Sequence, residues 1–496
     1  MELTKKRLFY IFLFINAFCW SLIQCLRTVI SIDAMEAISW GELVDFGTNK
    51  HPPLSGWLMA STYNLFGEHN FIAYVLGQIC IVIGFIFVYK LAKFFISEEK
   101  AMCSAIILSS CYYYTYIVLI DNFNCNFLSM ALWPMIAYYF YKSVKEEKLK
   151  DWVIFGLVSG LGVLTKYQVI FLFFALFVYL ILCERRQFKK AGMYLAILSG
   201  SLVILPHVIW LFQNDFFSFI YMTDRRLLGA HNTPSFLIQF GKVVFPIKFL
   251  LDQILSAAAC YALYLFLAWQ AGNIKFGNRE GNKSDKIFLL CIAFLPILAQ
   301  GSMAFFTESR IQGIWGSIMV GFFGIILFYF FPIEFKKDSF KHFLKLAYTF
   351  MTLWLIGMFI FMQLQTKRVL SYPHERIMKD FNNIWAESTN NADLKYVGGN
   401  IDWIFQFRLY NPHHPKIILE TFGHKNPWID HEDVIKSGAI ITAPTEDELI
   451  GRTRETVILL PEGYNIVPKS YSFKIKNAVG KTKEYTFYYT IIPPKK

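Results

Sequence analysis

The chain has 496 residues, of which 55% are hydrophobic and only 17% are charged, and its mean hydropathy is +0.40. An ordinary soluble domain has fewer apolar residues and more charged ones, so a soluble enzyme is excluded. The apolar residues fall in blocks of roughly 20, the length that a helix needs to cross about 30 Å of hydrocarbon. Much of the net charge of +12 lies in short loops between these blocks. There it indicates membrane topology and not a nucleic-acid partner.

Eleven apolar segments are predicted to span the membrane, and the charges between them indicate their orientation. They are 8–30, 71–96, 101–120, 126–142, 152–166, 168–183, 191–212, 247–271, 287–306, 313–332 and 344–363. If the N-terminus is cytoplasmic, the loops on that side carry twenty Lys and Arg residues and the other side carries eight. This asymmetry follows the positive-inside rule. The two short segments around Lys166 decide whether the number of spans is odd or even. A single long helix there would move the C-terminal tail to the other face.

The residues after about 364 differ from the rest of the chain, since charges occur throughout them. Segments 485–492 and 456–460 alternate in the period-two pattern of β-strands. About 130 residues are enough for an independent core. We therefore expect a transmembrane domain at 1–363 and a soluble α/β or α+β domain at 364–496 on the outer face. None of the nine cysteines lies in this tail, so no disulfide framework is indicated.

The first outer loop, 31–70, begins with two carboxylates. Asp33 and Glu36 are three residues apart and share a face if the segment is helical. Carboxylates at a membrane boundary are costly unless they are solvated or paired, so they indicate a functional role. An interfacial helix whose acids simply face water is the alternative. Lys50 and His51 follow in the same loop.

Further charged residues stand at the outer ends of other predicted spans. Asp121 follows one span and Lys166 interrupts an apolar stretch; single ionisable residues at such depths usually line a cavity or carry function. For Lys166 the alternative is a side chain that snorkels to the headgroups. Arg225 and Arg226 favour an anionic ligand such as a phosphate, with headgroup anchoring as the alternative. The last outer segment adds Arg310 and Trp315.

All these candidates lie on one predicted face of the membrane. Nucleotide sugars and ATP are not available there, so a transferase on this face needs a donor that is already activated in the membrane. A polyprenyl-phosphate sugar is such a donor: cations would bind its phosphate, aromatic rings would stack on its sugar, and an acid would serve as base. His51 and Glu36 are also possible ligands of a divalent metal, but one His and scattered carboxylates leave metal dependence open.

Short fragments of the chain, in the right order, resemble the GT-C glycosyltransferases. This family includes the dolichyl-phosphate-mannose protein mannosyltransferases and the lipid A aminosugar (aminoarabinose-type) transferases. The matching fragments are 33–40, 51–57 with its His-Pro-Pro-Leu and Trp, Asp121, 160–167 with its Thr-Lys-Tyr, 206–226, Trp315 and 399–415. Two positions depart from the family pattern. Ala34 stands where a second acid usually follows the first Asp, and Ile314 replaces a His before Trp315.

The resemblance implies an inverting transfer in one displacement. It implies Asp33 as general base, with Glu36 as the other catalytic carboxylate. It implies donor phosphate and sugar contacts from Lys50, His51, Asp121, Lys166, Arg225, Arg226, Arg310 and Trp315. The expected location is the bacterial inner membrane, with a cytoplasmic N-terminus and a periplasmic C-terminal domain.

Lipid A is the expected acceptor, and protein Ser or Thr is second. A transporter or flippase for a lipid-linked sugar is the alternative from another class. Transporters usually place ionisable residues near the membrane midplane on repeated, broken helices, whereas here the charges cluster at one face. An O-antigen polymerase or ligase would share the donor but lacks the ordered fragments.

Overall fold

The computed structural model describes residues 4–27, 30–42, 45–67, 69–216, 218–219, 235–271, 281–307, 311–364, 372–418 and 429–495. The chain forms two compact units. The first comprises Met1–Gln24, Val44–Met59 and Ala73–Ile356, and the second comprises Cys25–Leu43, Ala60–Ile72 and Gly357–Lys496. The second unit therefore contains the C-terminal tail together with two parts of the first outer loop.

Helices make up most of the described chain. In chain order they are α1 (Lys5–Gln24), α2 (Ile32–Glu42), α3 (Leu54–Phe66), α4 (Asn70–Ala92), α5 (Glu98–Ile106), α6 (Tyr116–Ile120), α7 (Cys125–Glu146), α8 (Leu149–Thr165), α9 (Ile170–Cys183), α10 (Ala191–Gln213), α11 (Ser235–Ser256), α12 (Ala258–Ala271), α13 (Lys283–Thr307), α14 (Phe323–Phe330), α15 (Ser339–Leu364), α16 (His374–Thr389), α17 (Ile401–Tyr410), α18 (His431–Ser437) and α19 (Glu446–Thr456). The strands are β1 (Tyr396–Gly399), β2 (Lys416–Ile418), β3 (Ala439–Ala443), β4 (Lys469–Lys476) and β5 (Thr482–Ile492).

Within the described residues, five helices are long and apolar enough to cross a membrane: α1, α4, α10, α13 and α15. Two further stretches are bent. The angle is 74° between Glu98–Ser110 and Tyr112–Val118, and 41° between Phe240–Ser256 and Ala258–Gln270. Counting each bent pair as one span gives seven. The prediction of a polytopic helical membrane protein is confirmed, and the count of eleven spans stays a prediction.

The predicted break at Lys166 is present. Helix α8 ends at Thr165, Lys166 has extended backbone, and a 3-10 turn at Tyr167–Val169 leads into α9. The two helices then pack against different partners, since α8 lies along α7 and α10 whereas α9 lies along α13. Two separate helices therefore flank Lys166, as predicted.

Glycines allow α8 and α10 to pack closely. A Cβ atom added to Gly156 would lie 2.2 Å from the carbonyl oxygen of Ala196, and one added to Gly160 would lie 2.9 Å from that of Gly200. Real Cβ atoms do not approach other atoms this closely, so the backbones meet only because these residues lack side chains. Small residues serve the same purpose wherever membrane helices pack by van der Waals contact.

The C-terminal domain contains a five-stranded sheet in the order β2-β1-β3-β5-β4. Strands β2, β1 and β3 are parallel, and β5 pairs antiparallel with β3 and β4. Its core includes Ile418, Ile441 and Leu449. At the edge of this core the hydroxyl of the buried Tyr396 donates to Asp433 Oδ2 over 2.8 Å and holds the pKa of that carboxyl below its usual value.

One predicted strand of the tail is confirmed and one is wrong. Segment 485–492 lies in β5. The predicted strand 456–460 instead begins at the last residue of α19 and continues as a turn. Thr445 caps this helix by accepting from the Glu448 N–H, and Val457 and Leu460 pack on the core beneath the sheet. The alternating pattern therefore reflected burial at a helix end and not a strand.

We predict that Gly156→Ala lowers the melting temperature of the purified protein in detergent. The new methyl group would lie 2.1 Å from Ser199 Oγ as well as close to the Ala196 carbonyl, and overpacking of this kind costs about 1–3 kcal/mol. The matched control is Gly357→Ala in α15, where nothing lies within 4 Å of the new atom. Equal melting temperatures for the two variants would contradict the close packing of α8 on α10.

Candidate functional site

The predicted acids Asp33 and Glu36 lie on helix α2, so their spacing places them on one face. Ser31 caps α2 by accepting from the Ala34 N–H over 3.3 Å. Asp33 is in the first turn and half-buried, while Glu36, one turn further on, is buried. A carboxylate in the first turn of a helix is stabilised by the unpaired N–H groups there.

Helix α2 contacts the C-terminal domain within the second unit. Gln406 of α17 is buried, and its Nε2 donates to Met35 Sδ over 3.6 Å. Two residues on, Arg408 is also buried, which lowers the pKa of its guanidinium to about 10. Its Nη1 lies 3.4 Å from the His414 carbonyl oxygen. The segment 399–415, which the family resemblance includes, thus supports the helix that carries the acids.

Lys50 and His51 lie in a turn of the first unit that is held by one hydroxyl. Thr48 Oγ1 accepts from the N–H groups of Lys50 (3.2 Å) and His51 (2.9 Å) and donates to the His51 carbonyl oxygen over 2.7 Å. A hydroxyl has one proton and two lone pairs, so the Thr48 side chain is fully used. The backbone of Lys50 and His51 is fixed in this way, and both residues are half-buried.

His207 connects this turn to Tyr167. Its Nδ1 lies 2.6 Å from the Phe46 carbonyl oxygen and its Nε2 lies 2.8 Å from the Tyr167 hydroxyl. Because a carbonyl only accepts, Nδ1 donates to it, and in the neutral ring Nε2 accepts from Tyr167. The ring is 1% exposed and stacks on Trp210. The Trp210 ring also fills the space beside Gly47, where a Cβ atom would lie 2.1 Å away.

The break after α8 places three consecutive side chains against three other parts of the chain. Lys166 Nζ donates to Asn126 Oδ1 over 2.6 Å. Tyr167 binds His207 as described, and Gln168 Nε2 donates to the Trp315 carbonyl oxygen over 2.6 Å and also to Gln300. We call residues 166–168 with these partners the Lys166 junction. It connects helices that are far apart in the sequence.

Asp121 stands at the start of an ordered segment that leads to the junction. It is half-buried and follows α6. Next to it, Asn122 Nδ2 donates to Gln24 Oε1 over 2.8 Å, and Asn124 Oδ1 caps α7 by accepting from the Asn126 N–H over 2.8 Å. Lys166 thus binds the first turn of the helix that begins just after Asp121.

The predicted site residues therefore divide into three groups. The hydrogen bonds of the Lys166 junction connect the Lys50 turn, Lys166, the segment after Asp121 and the backbone of Trp315, all within the first unit. Asp33 and Glu36 belong to the second unit. Arg225, Arg226 and Arg310 lie outside the described residues. Among the residues that are described, no three His, Cys, Asp or Glu side chains form a group that could hold a metal ion.

Several polar residues of the site were not among the candidates predicted from the sequence. They are Thr48, Asn126, Gln168, His207 and Gln300. Gln300 follows a long apolar run in α13, and Gln168 lies in the 3-10 turn before α9. A polar side chain in such a segment is a usable signal, because it must find a partner in the protein. His207 lies within the 206–226 fragment but is not among the site residues predicted from the sequence.

We predict that Tyr167→Phe lowers the melting temperature of the detergent-purified protein. The change removes the donor to a fully buried His207 nitrogen, and an unsatisfied buried group costs about 1–3 kcal/mol. The matched control is Tyr194→Phe, since that hydroxyl donates to the Phe188 carbonyl from an exposed side chain. If both variants melt like the unchanged protein, the Tyr167–His207 hydrogen bond does not hold the junction.

Residues 50–210 match the family model of the dolichyl-phosphate-mannose-protein mannosyltransferases. The lipid A galacturonosyltransferase RgtD of Rhizobium johnstonii is 25% identical over 194 residues, which are 37% of this chain and 39% of that protein. The lipopolysaccharide core galacturonosyltransferase RgtA of the same organism is 22% identical over 275 residues, 54% of each chain. The matched segments thus span about half or less of these relatives.

The fold is similar to that of ArnT from Cupriavidus metallidurans bound to undecaprenyl phosphate. The TM-score is 0.51, the identity is 12%, and the match covers 97% of both chains. At this identity the likeness concerns the fold. Residues 50–210, which match the family model, include Lys50, His51, Asp121 and Lys166. The resemblance predicted from the sequence is confirmed, because the chain is similar to membrane glycosyltransferases in sequence and in fold.

Proposed function

We propose that this protein is an inverting glycosyltransferase that moves a sugar from a polyprenyl-phosphate donor to an acceptor of the bacterial envelope, with lipid A favoured. The observation that carries the proposal is the Lys166 junction. A half-buried lysine directly follows helix α8 there, donates to Asn126, and lies in the segment that matches the family model of the dolichyl-phosphate-mannose-protein mannosyltransferases. A lysine ammonium is a common ligand for phosphate.

The comparisons support the two lipid partners. Two relatives are named for transfer to lipid A and to the lipopolysaccharide core, which favours an envelope glycolipid as acceptor over protein Ser or Thr. The similar solved structure holds undecaprenyl phosphate, which favours a lipid-linked donor. Both relatives transfer a galacturonosyl group by name, so a uronic acid is the first sugar to test.

The proposed reaction is a single displacement at the anomeric carbon. An oxygen of the acceptor forms the new bond as the bond to the donor phosphate breaks, and the polyprenyl phosphate leaves with the electron pair. If the acceptor is a hydroxyl, Asp33 takes its proton, a role that contributes about 10²- to 10⁴-fold. If the acceptor is a lipid phosphate, its oxygen is already anionic and Asp33 orients it. Glu36 is the second catalytic carboxylate of the proposal.

Cations stabilise the departing phosphate in this proposal. Lys50, Lys166, Arg225 and Arg226 are assigned to that anion, because positive charge placed in advance near a leaving group is often the largest catalytic contribution. The remaining donor contacts are assigned to His51, Asp121, Arg310 and Trp315. The proposed topology has the N-terminus in the cytoplasm and the C-terminal domain in the periplasm, across the bacterial inner membrane.

One observation favours a second candidate, a transporter for a lipid-linked sugar. The two bent helix pairs, at 74° and 41°, are a feature that transporters use to build substrate sites. The two functions predict different results for the purified protein in detergent. A transferase in detergent converts donor and acceptor into product without a membrane to cross, whereas a transporter does not.

We predict that deleting this protein removes one sugar-sized mass from lipid A, and that Asp33→Asn does the same while the protein is still made and folded. The reason is that an amide cannot take the acceptor proton. Mass spectrometry of lipid A measures the outcome. The control is Asp45→Asn, an exposed acid of the same outer loop whose Oδ1 accepts from the Phe46 N–H, which an amide oxygen can also do. Normal lipid A with Asp33→Asn would exclude Asp33 from the mechanism.

We predict that Lys166→Gln, and separately Arg225→Ala with Arg226→Ala, raise the KM for the polyprenyl-phosphate donor about tenfold or more, since each removes charge from the site assigned to an anion. Steady-state kinetics of the purified protein measure this. Lys248→Gln is the control, because Lys248 is exposed and pairs with Asp252 one turn further along α11. A lower melting temperature with an unchanged KM would instead assign these cations to anchoring in lipid headgroups.

A further inference from the structure

The β4–β5 hairpin ends in a tight turn that Asn477 builds. Its backbone N–H donates to the Lys481 carbonyl oxygen over 3.0 Å, and its Oδ1 accepts from the Lys481 N–H over 2.8 Å. Gly480 donates to the Asn477 carbonyl oxygen over 2.9 Å and has a φ of 83°, which favours glycine. The turn is therefore well defined and not a loose connection.

This turn binds the end of the last long apolar helix. Asn477 Nδ2 donates to the Leu364 carbonyl oxygen and the Ala478 N–H donates to that of Gln363, each over 3.1 Å. The last four carbonyls of a helix have no partner within the helix, and the hairpin supplies two donors for them. The position of the turn is thus fixed to the end of α15, within the second unit.

The end of α15 lies at a lipid headgroup layer if the helix spans the membrane. Its 26 residues extend over about 39 Å, more than the roughly 30 Å of hydrocarbon. Its apolar side chains remain exposed up to its end, since Phe359, Ile360 and Leu364 are all about half exposed. A turn attached to the Leu364 carbonyl is therefore held beside the membrane surface.

The turn and the strand ends beside it carry an exposed apolar residue among cations. Val479 is 71% exposed at the end of the turn. The exposed lysines near it are Lys474, Lys476, Lys481 and Lys483. Glu484 is the one acid between 474 and 484, and it lies 3.8 Å from Lys474 in a pair whose side chains are both more than half exposed. Such a pair is weak. With four lysines and one glutamate, residues 474–484 carry a net charge of +3.

Packing explains these lysines only in part, since Lys483 Nζ lies 4.3 Å from the centre of the Tyr485 ring. Lys474 and Lys476 lie on the face of β4 opposite to Phe473 and Ile475, which face the aromatic side of the hairpin. Lysines on an edge strand prevent pairing with another sheet. That role fits Lys474 and Lys476 on β4, and Lys483 on the part of β5 that pairs only with β4, but it leaves out Lys481 in the turn. The position beside the end of a membrane helix accounts for all four.

We propose that residues 474–484, the hairpin tip, bind the acidic phospholipid headgroups of the leaflet in which α15 ends. Val479 enters the headgroup layer, and the four lysines contact lipid phosphates. Each lysine close to an acidic membrane surface strengthens such binding about fivefold. The contact would hold the C-terminal domain to the bilayer independently of any donor or acceptor.

The test uses the full chain in lipid nanodiscs. An environment-sensitive fluorescent amino acid replaces Val479 in one sample and Val467 in another. Val467 is the matched control, because it is a valine of the same domain, is 52% exposed and precedes β4 at the opposite end of the hairpin. Brominated lipid should quench the probe at 479 and leave the probe at 467 unquenched. Equal quenching at the two positions would overturn the proposal.

The lysines are tested in the same nanodiscs, with phosphatidylcholine alone or mixed with an equal amount of phosphatidylglycerol. Acidic lipid should increase quenching at 479, and Lys474→Gln, Lys476→Gln, Lys481→Gln and Lys483→Gln together should abolish that increase. The control replaces four exposed lysines of the same domain outside the tip: Lys395→Gln, Lys416→Gln, Lys469→Gln and Lys495→Gln. If quenching at 479 ignores acidic lipid, or if both sets of changes act alike, the hairpin tip does not recognise acidic headgroups.

Discussion

The need to satisfy buried polar groups explains why residues 166–168 contact three other parts of the first unit. Lys166, Tyr167 and Gln168 follow the end of α8 and are half-buried, so an unpaired donor or acceptor there is costly. Each side chain finds its partner in a different part of the chain: Asn126, His207, and Gln300 with the Trp315 carbonyl. Several helices are joined by this one set of hydrogen bonds, and His207 connects it to the loop that carries Lys50.

The predicted first outer loop is divided between the two units, which matters for the proposed catalysis. Helix α2, with Asp33 and Glu36, belongs to the same unit as the C-terminal domain and is supported by Gln406 through Met35. The loop 45–51 that follows belongs to the other unit. Asp33 and Glu36 are therefore held by a different unit from Lys50, although Lys50 follows them closely in sequence. A substitution in the core of the C-terminal domain is expected to disturb the position of Asp33 more than that of Lys50.

Hydropathy located the apolar segments but did not show where they bend. The predicted span 101–120 contains the 74° bend, because Cys111 is extended and the Tyr113 hydroxyl donates to the Gly313 carbonyl oxygen over 2.6 Å. A buried tyrosine hydroxyl needs such a partner, and here the partner is two hundred residues away. No window of the sequence around 113 contains that information.

The sequence alone determined the membrane class, the break at Lys166 and the strand in 485–492, because each follows from local composition or period. Only the tertiary structure decided that 456–460 ends a helix and that His207, Asn126 and Gln300 belong to the site. It also decided that α2 is held by the C-terminal domain. The physical reason is the same in each case: local periodicity reports that a residue is buried, whereas the partner that satisfies or packs against it comes from a distant part of the chain.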